Sequence, residues 1–122
     1  MIKTVGLLKR RPGMSIEDFR DYYETHHRVI GEKYLSGHAA RYVRRFLDPA
    51  PNSRRGDLGE PEYDVILEIW YADQAAYDAT REVLSAPEVR REIVEDEEKL
   101  FDRPSMRFYT VQEFESDLSG DA

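Results

Sequence analysis

The chain has 122 residues, 40% of them hydrophobic, and a formal net charge of −7 from 25 acidic and 18 basic residues. A domain of this length buries about two thirds of its unfolded surface, so one core is expected, and the acidic balance argues against a nucleic-acid partner. Without cysteine there are no disulfides, thiol nucleophiles or usual zinc-cluster and iron–sulfur sites; no apolar run is long enough for a signal peptide or a membrane span, so the cytoplasm is the expected location.

Ile2 to Lys9 is short and apolar-rich and is bounded by Arg10-Arg11-Pro12-Gly13, which predicts a first strand. Gly6 in its middle marks a place where another group comes close to the backbone, a candidate ligand contact, or else a tight core position. Ser15 followed by Asp18 fits a capping box after the Pro12-Gly13 turn, and the helix it starts is expected to run to Tyr34. Counting about 100° per residue from Phe19, Tyr23, His26 and Ile30 lie within about 40° of it, Tyr34 and Ile16 near about 60°, and Tyr22 near about −60°. His26 is thus expected to point inward, while His27, near about 80°, borders the apolar stripe.

A histidine beside tyrosines on an apolar face suits proton transfer, because its pKa near neutrality lets it take and return a proton. His27, His26 and Tyr22 are therefore the candidate catalytic residues, Tyr22 as a hydrogen-bond donor to an enolate or carbonyl oxygen. Tyr23, Phe19, Gly6 and Trp70 are the candidate substrate contacts. The competing reading makes His26 a satisfied core histidine, His27 a wet-edge residue and the tyrosines packing groups. Adjacent histidines point about 100° apart on a helix and rarely share one ion, so no metal is expected. Neither a Walker loop, GxGxxG nor GxSxG occurs, and no cofactor is expected.

After Ser36-Gly37, Ala40 to Leu47 reads as a second strand with apolar groups on both faces, and Asp48 to Pro61 as a long connection. Tyr63 to Tyr71 is the clearest strand, with Tyr63, Val65, Leu67, Ile69 and Tyr71 on one face and Asp64, Ile66, Glu68 and Trp70 on the other. Asp73 caps a helix through Leu84, and Pro87 opens another to about Leu100, whose run Glu95-Asp96-Glu97-Glu98 reads as a solvated face. Met106 to Phe114 is the predicted last strand, and 116–122 a polar tail beyond a single domain over 1–115. The basic clusters at 9–11, 44–45, 54–55 and 90–91 read as solvated surface.

This order predicts an α+β domain of ferredoxin-like βαββαβ plan, a four-stranded antiparallel sheet with its helices on one face. Strand three leaves Ile66 and Trp70 on the uncovered face, so a partner sheet is expected there, giving a homodimer with two sheets face to face. Asp64 and Glu68 fall on that face and are expected to pair with Arg44 or Arg107.

The run Leu8-Lys9-Arg10-Arg11-Pro12-Gly13-Met14-Ser15, then Phe19, Tyr22, Tyr23 and His27, closely resembles the N-terminal signature of the EthD domain family. Asp64 to Tyr71, leading into a capped helix, resembles its third strand. The resemblance covers Ile2 to about Phe114 and implies a dimeric α+β barrel with a mostly apolar cleft between sheet and helices. It assigns the functional position to His27. One departure is Val29, where the family often has proline. Relatives of that fold include cofactor-free cyclases, isomerases, monooxygenases and haem enzymes. The expected function is a small cofactor-independent lyase, isomerase or cyclase-like enzyme acting on a hydrophobic or aromatic carbonyl compound in a catabolic or secondary pathway. The alternatives are a binding protein that serves a partner oxygenase, or haem and oxygen chemistry with His26 or His27 as axial ligand.

Overall fold

In a computed structural model, which describes residues 1–50 and 60–120, four antiparallel strands carry the chain's helices on one face. The strands are β1 (Ile2–Leu8), β2 (Arg41–Phe46), β3 (Val65–Tyr71) and β4 (Arg107–Thr110), in the order β2-β3-β1-β4. The helices are α1 (Ile16–Tyr22), α2 (Arg28–Leu35), α3 (Gln74–Ser85) and α4 (Pro87–Leu100), so the ferredoxin-like plan is present. Most of the long connection expected from Asp48 to Pro61, with the Arg54-Arg55 pair, lies outside the described residues.

The starts of α1 and α3 follow from their caps. Ser15 Oγ accepts the Asp18 N–H at 3.0 Å and Asp73 Oδ1 accepts the Ala76 N–H at 2.8 Å, satisfying donors that a first helical turn leaves free. Pro87 occupies the first turn of α4, where its missing N–H costs nothing. Leu8, Phe19, Tyr23, Val65, Leu100 and Phe101 form the buried core, with the Phe19 ring edge-on to Tyr23, Phe46 and Phe101.

Strand register sorts the side chains. Gly6 faces Leu67, Tyr42 faces Ile69 and Phe108 faces Gly6, placing these on the helix side of the sheet. Lys3, Arg41 and Trp70 align across three strands on the other side. Three expectations change here. Glu68 pairs with Arg45 at 3.1 Å, Asp64 lies 3.3 Å from Lys9 and also faces Arg10, and Arg44 instead binds Glu24 from the helix side. β4 ends at Thr110 rather than Phe114, because β1 runs out: the Val111 N–H reaches the Lys3 carbonyl and only Ile2 of the strand remains beyond it.

The helix expected to run unbroken to Tyr34 is interrupted. Tyr23–His27 forms a π-helical turn in which the Arg28 N–H donates to the Tyr23 carbonyl, five residues back. The turn takes up one extra residue, so every side chain after it lags the regular count by about 100°. His27 thereby moves from about 80° to about −20°, the inward position counted for His26. His26 is exposed, and its ring stacks on Tyr22 at 4.6 Å, so the inward placement expected of it is corrected.

Candidate functional site

The same lag turns Gly31, Tyr34 and Leu35 toward the sheet, and between these helices and the strands lies a cavity of about 200 Å³. Leu8, Leu67 and Ile69 form its floor, Tyr23, Tyr42 and Phe101 its aromatic wall, and its polar side chains include His27 and Glu97. Gly31 is required at this wall, since a Cβ there would sit 2.5 Å from the Tyr42 hydroxyl. The π turn itself is pinned to β2: Arg44 donates from Nε and Nη2 to the two Glu24 carboxylate oxygens at 2.9 and 2.8 Å.

His27 is anchored from behind. Its Nδ1 lies 2.8 Å from Asp96 Oδ2, and the Tyr22 hydroxyl donates to Asp96 Oδ1 at 2.5 Å. A carboxylate only accepts, so Nδ1 carries the proton and the lone pair sits on Nε2, which has no hydrogen-bond partner among the described residues. Burial lowers the His27 pKa from its ordinary value, and the hydrogen bond and charge of Asp96 oppose that shift. The balance leaves a neutral imidazole at pH 7, in the form a general base requires.

Glu97, the residue after Asp96, carries the opposite bias. Burial raises its carboxyl pKa, partly countered by Arg103, whose buried Nε lies 3.8 Å away without a hydrogen bond. Burial also lifts the phenols: Tyr22 to about 12, with Asp96 adding to the effect, and Tyr42 to about 12. Burial, with its hydrogen bond to Tyr42, also raises the Tyr23 phenol well above its ordinary value. At the cavity edge the Tyr34 hydroxyl donates to Glu92, which Lys33 also meets at 3.2 Å.

Of the expected site residues, His27 and Tyr23 line the cavity, and Tyr22 joins the site only through Asp96. Phe19 is sealed in the core behind them and has no cavity surface. The group that closes on Gly6 is the Phe108 ring, 3.0 Å from where a Cβ would stand, so the close approach is real but it fills the ligand contact expected there. Trp70 lies across the sheet, flanked by Lys3 at 3.9 Å and Arg41 at 4.3 Å from its ring. The solvated face expected of the run 95–98 is corrected at Asp96, which is 6% exposed. The missed signal is spacing. Val89, Ile93, Asp96 and Leu100 repeat at intervals of four, three and four, so an acid stands where an apolar contact is due.

The EthD domain family model matches residues 11–104. The chain belongs to the EthD domain family. An EthD family protein from Bacillus halodurans C-125 superimposes with a TM-score of 0.63 at 16% identity, covering 93% of this chain and all of that one. HapK from Hahella chejuensis gives 0.58 at 11% identity, over 99% of this EthD chain and 100% of HapK. A dabb family protein with a ferredoxin-like fold from Mesorhizobium loti gives 0.53 at 14% identity, over 93% and 97%. These identities carry the fold alone. No curated protein matches the sequence. No described helix is long and apolar enough to cross a membrane, and no described cluster of His, Asp and Glu is arranged to hold a metal ion.

Proposed function

We propose that this EthD domain protein is a cofactor-independent catalyst of proton transfer on a small aromatic or hydrophobic carbonyl compound, a lyase, isomerase or cyclase in reaction type. The observation that carries the reading is the His27–Asp96 pair at 2.8 Å, with the other ring nitrogen left to an apolar cavity. His27 Nε2 takes a proton from the carbon next to the carbonyl, Asp96 stabilises the imidazolium that forms, and the electron pair moves to the carbonyl oxygen. Return of the proton from Nε2 to a carbon of the enolate completes an isomerisation in the cavity that Glu97 also lines.

Cavity size favours a compact substrate. At about 200 Å³ it is little larger than the ~150 Å³ that holds one benzene, so a single ring with a short substituent fits. A haem does not fit a space of that size, and His26 is exposed outside it. We further propose that the protein works in the cytoplasm as a homodimer joined through the sheet face that carries Trp70.

The test is hydrogen exchange. Single-ring aryl ketones and aldehydes with enolisable C–H groups are incubated with the protein in D2O, and deuterium uptake is followed by NMR and mass spectrometry. Uptake by the wild type that falls to background in His27→Gln supports the reading. Binding of these compounds without exchange by the wild type replaces catalysis with ligand delivery.

A further inference from the structure

The outer face of the sheet is basic and partly apolar. By register it carries Lys3, Arg41, Arg45 and Arg107 against a single acid, Glu68, around Trp70, Ile66 and Val43. The segment that follows β4 has the complementary character. Glu113, Glu115 and Asp117 alternate with Phe114 and Leu118, and no cation occurs from Val111 to the C-terminus. Phe114 is 88% exposed and Leu118 90%, two large apolar side chains that no described residue covers.

The place where this arm leaves the sheet matters. Val111 is its last backbone contact with β1, and Glu113 meets Lys3 at 2.5 Å, so the arm departs at the end of the sheet where Lys3, Trp70 and Arg41 align. From Phe114 to Gly120 it is long enough, at about 3.3 Å per extended residue, to reach about 23 Å, against about 14 Å across four strands. A sheet face of this size offers a footprint of about 400 Å², whereas a stable interface takes about 800 Å² from each partner. The arm supplies area of the right chemistry.

We propose that the C-terminal arm, residues 114–120, lies along the rim of the basic outer sheet face of a second copy of this chain, where the two sheets meet, seating Phe114 and Leu118 beside its apolar residues and Glu115 and Asp117 against its arginines. The proposal rests on the homodimer reading above and adds to it the element that clasps the dimer.

The experiment measures dimer dissociation by sedimentation velocity for the full chain, for a chain ending at Gln112, and for Phe114→Ser combined with Leu118→Ser. Both side chains of the double variant are exposed in the monomer, so its fold is retained even where the truncated chain does not refold. The expected result is a dimer weakened about thirtyfold in the altered chains, weakened also by raising salt, with unchanged circular dichroism. Equal dissociation constants for the full chain and the double variant overturn the arm while leaving the dimer standing. A full chain that sediments as a monomer overturns both.

Discussion

Asp96 Oδ2 sits 2.8 Å from His27 Nδ1, joining the middle of α4 to the end of the π turn across 69 residues of sequence. Replacing Asp96 with Asn keeps the shape but gives Nδ1 a neutral partner that cannot stabilise an imidazolium. Turnover is expected to fall about 10²- to 10⁴-fold. Nitrogen NMR of the imidazole should show the His27 pKa moving further down, because the groups that raise it are gone while burial remains. A wild-type pKa and rate in Asp96→Asn would remove the pair from the mechanism.

Two cavity residues should contribute to the pH dependence of stability with opposite signs. The folded-state pKa of His27 is depressed, so the unfolded chain binds its proton first; stability is full above about 6.5 and is lost as pH falls below it. The folded-state pKa of Glu97 is raised, so its contribution is full below about 4.3 and is lost as pH rises through the folded value. Melting curves from pH 4 to 8 should lose the first slope in His27→Gln and the second in Glu97→Gln. Slopes that persist in those variants would assign them to other groups.

His26→Ala and His27→Ala should separate cleanly. His26 is exposed, and its loss forfeits a ring stack on Tyr22 that is worth at most about 1 kcal/mol. Ligand binding and turnover should be unchanged. His27→Ala strands the buried Asp96 with only Tyr22, which should cost about 1–3 kcal/mol as well as activity. Denaturant titrations of the two variants check the contrast, and equal losses would count against the inward placement of His27.

Gly31→Ala should destabilise although alanine is the better helix former. The new methyl meets the Tyr42 hydroxyl at 2.5 Å and its ring carbons at 2.8 Å, and Tyr42 is held by its bond to Tyr23. Overpacking of about 1–3 kcal/mol exceeds the roughly 1 kcal/mol gained in helix propensity. Calorimetry should show a lower Tm, and the tyrosine shift should weaken binding of aromatic probes. A raised Tm would mean that Tyr42 yields freely.

The fold was largely legible because caps, strand alternation and Pro87 each speak locally. Ser15 and Asp73 cap where the sequence places them, and the faces of β3 divide as its alternation predicts. The site was half legible. The pattern from Phe19 to His27 singled out the histidine that lines the cavity while regular helix counting turned His26 inward, because counting assumes a constant step and the π turn breaks it. Nothing in Tyr23-Glu24-Thr25-His26-His27 announces that break. Its support comes from Arg44 on a strand 20 residues away, which grips Glu24. Asp96 was hidden by its acidic neighbours, whose charge masked an apolar spacing.

The position of Trp70 has a practical side. It is the only tryptophan of the chain, and it lies on the opposite side of the sheet from the cavity, between Lys3 and Arg41. Its fluorescence therefore reports on what approaches the outer face and on the two cations that flank it. A compound entering beside His27 changes the surroundings of Tyr23, Tyr34 and Tyr42 instead. The two proposed events can be told apart in one cuvette, pairing of sheets through indole emission and cavity occupancy through the tyrosine bands.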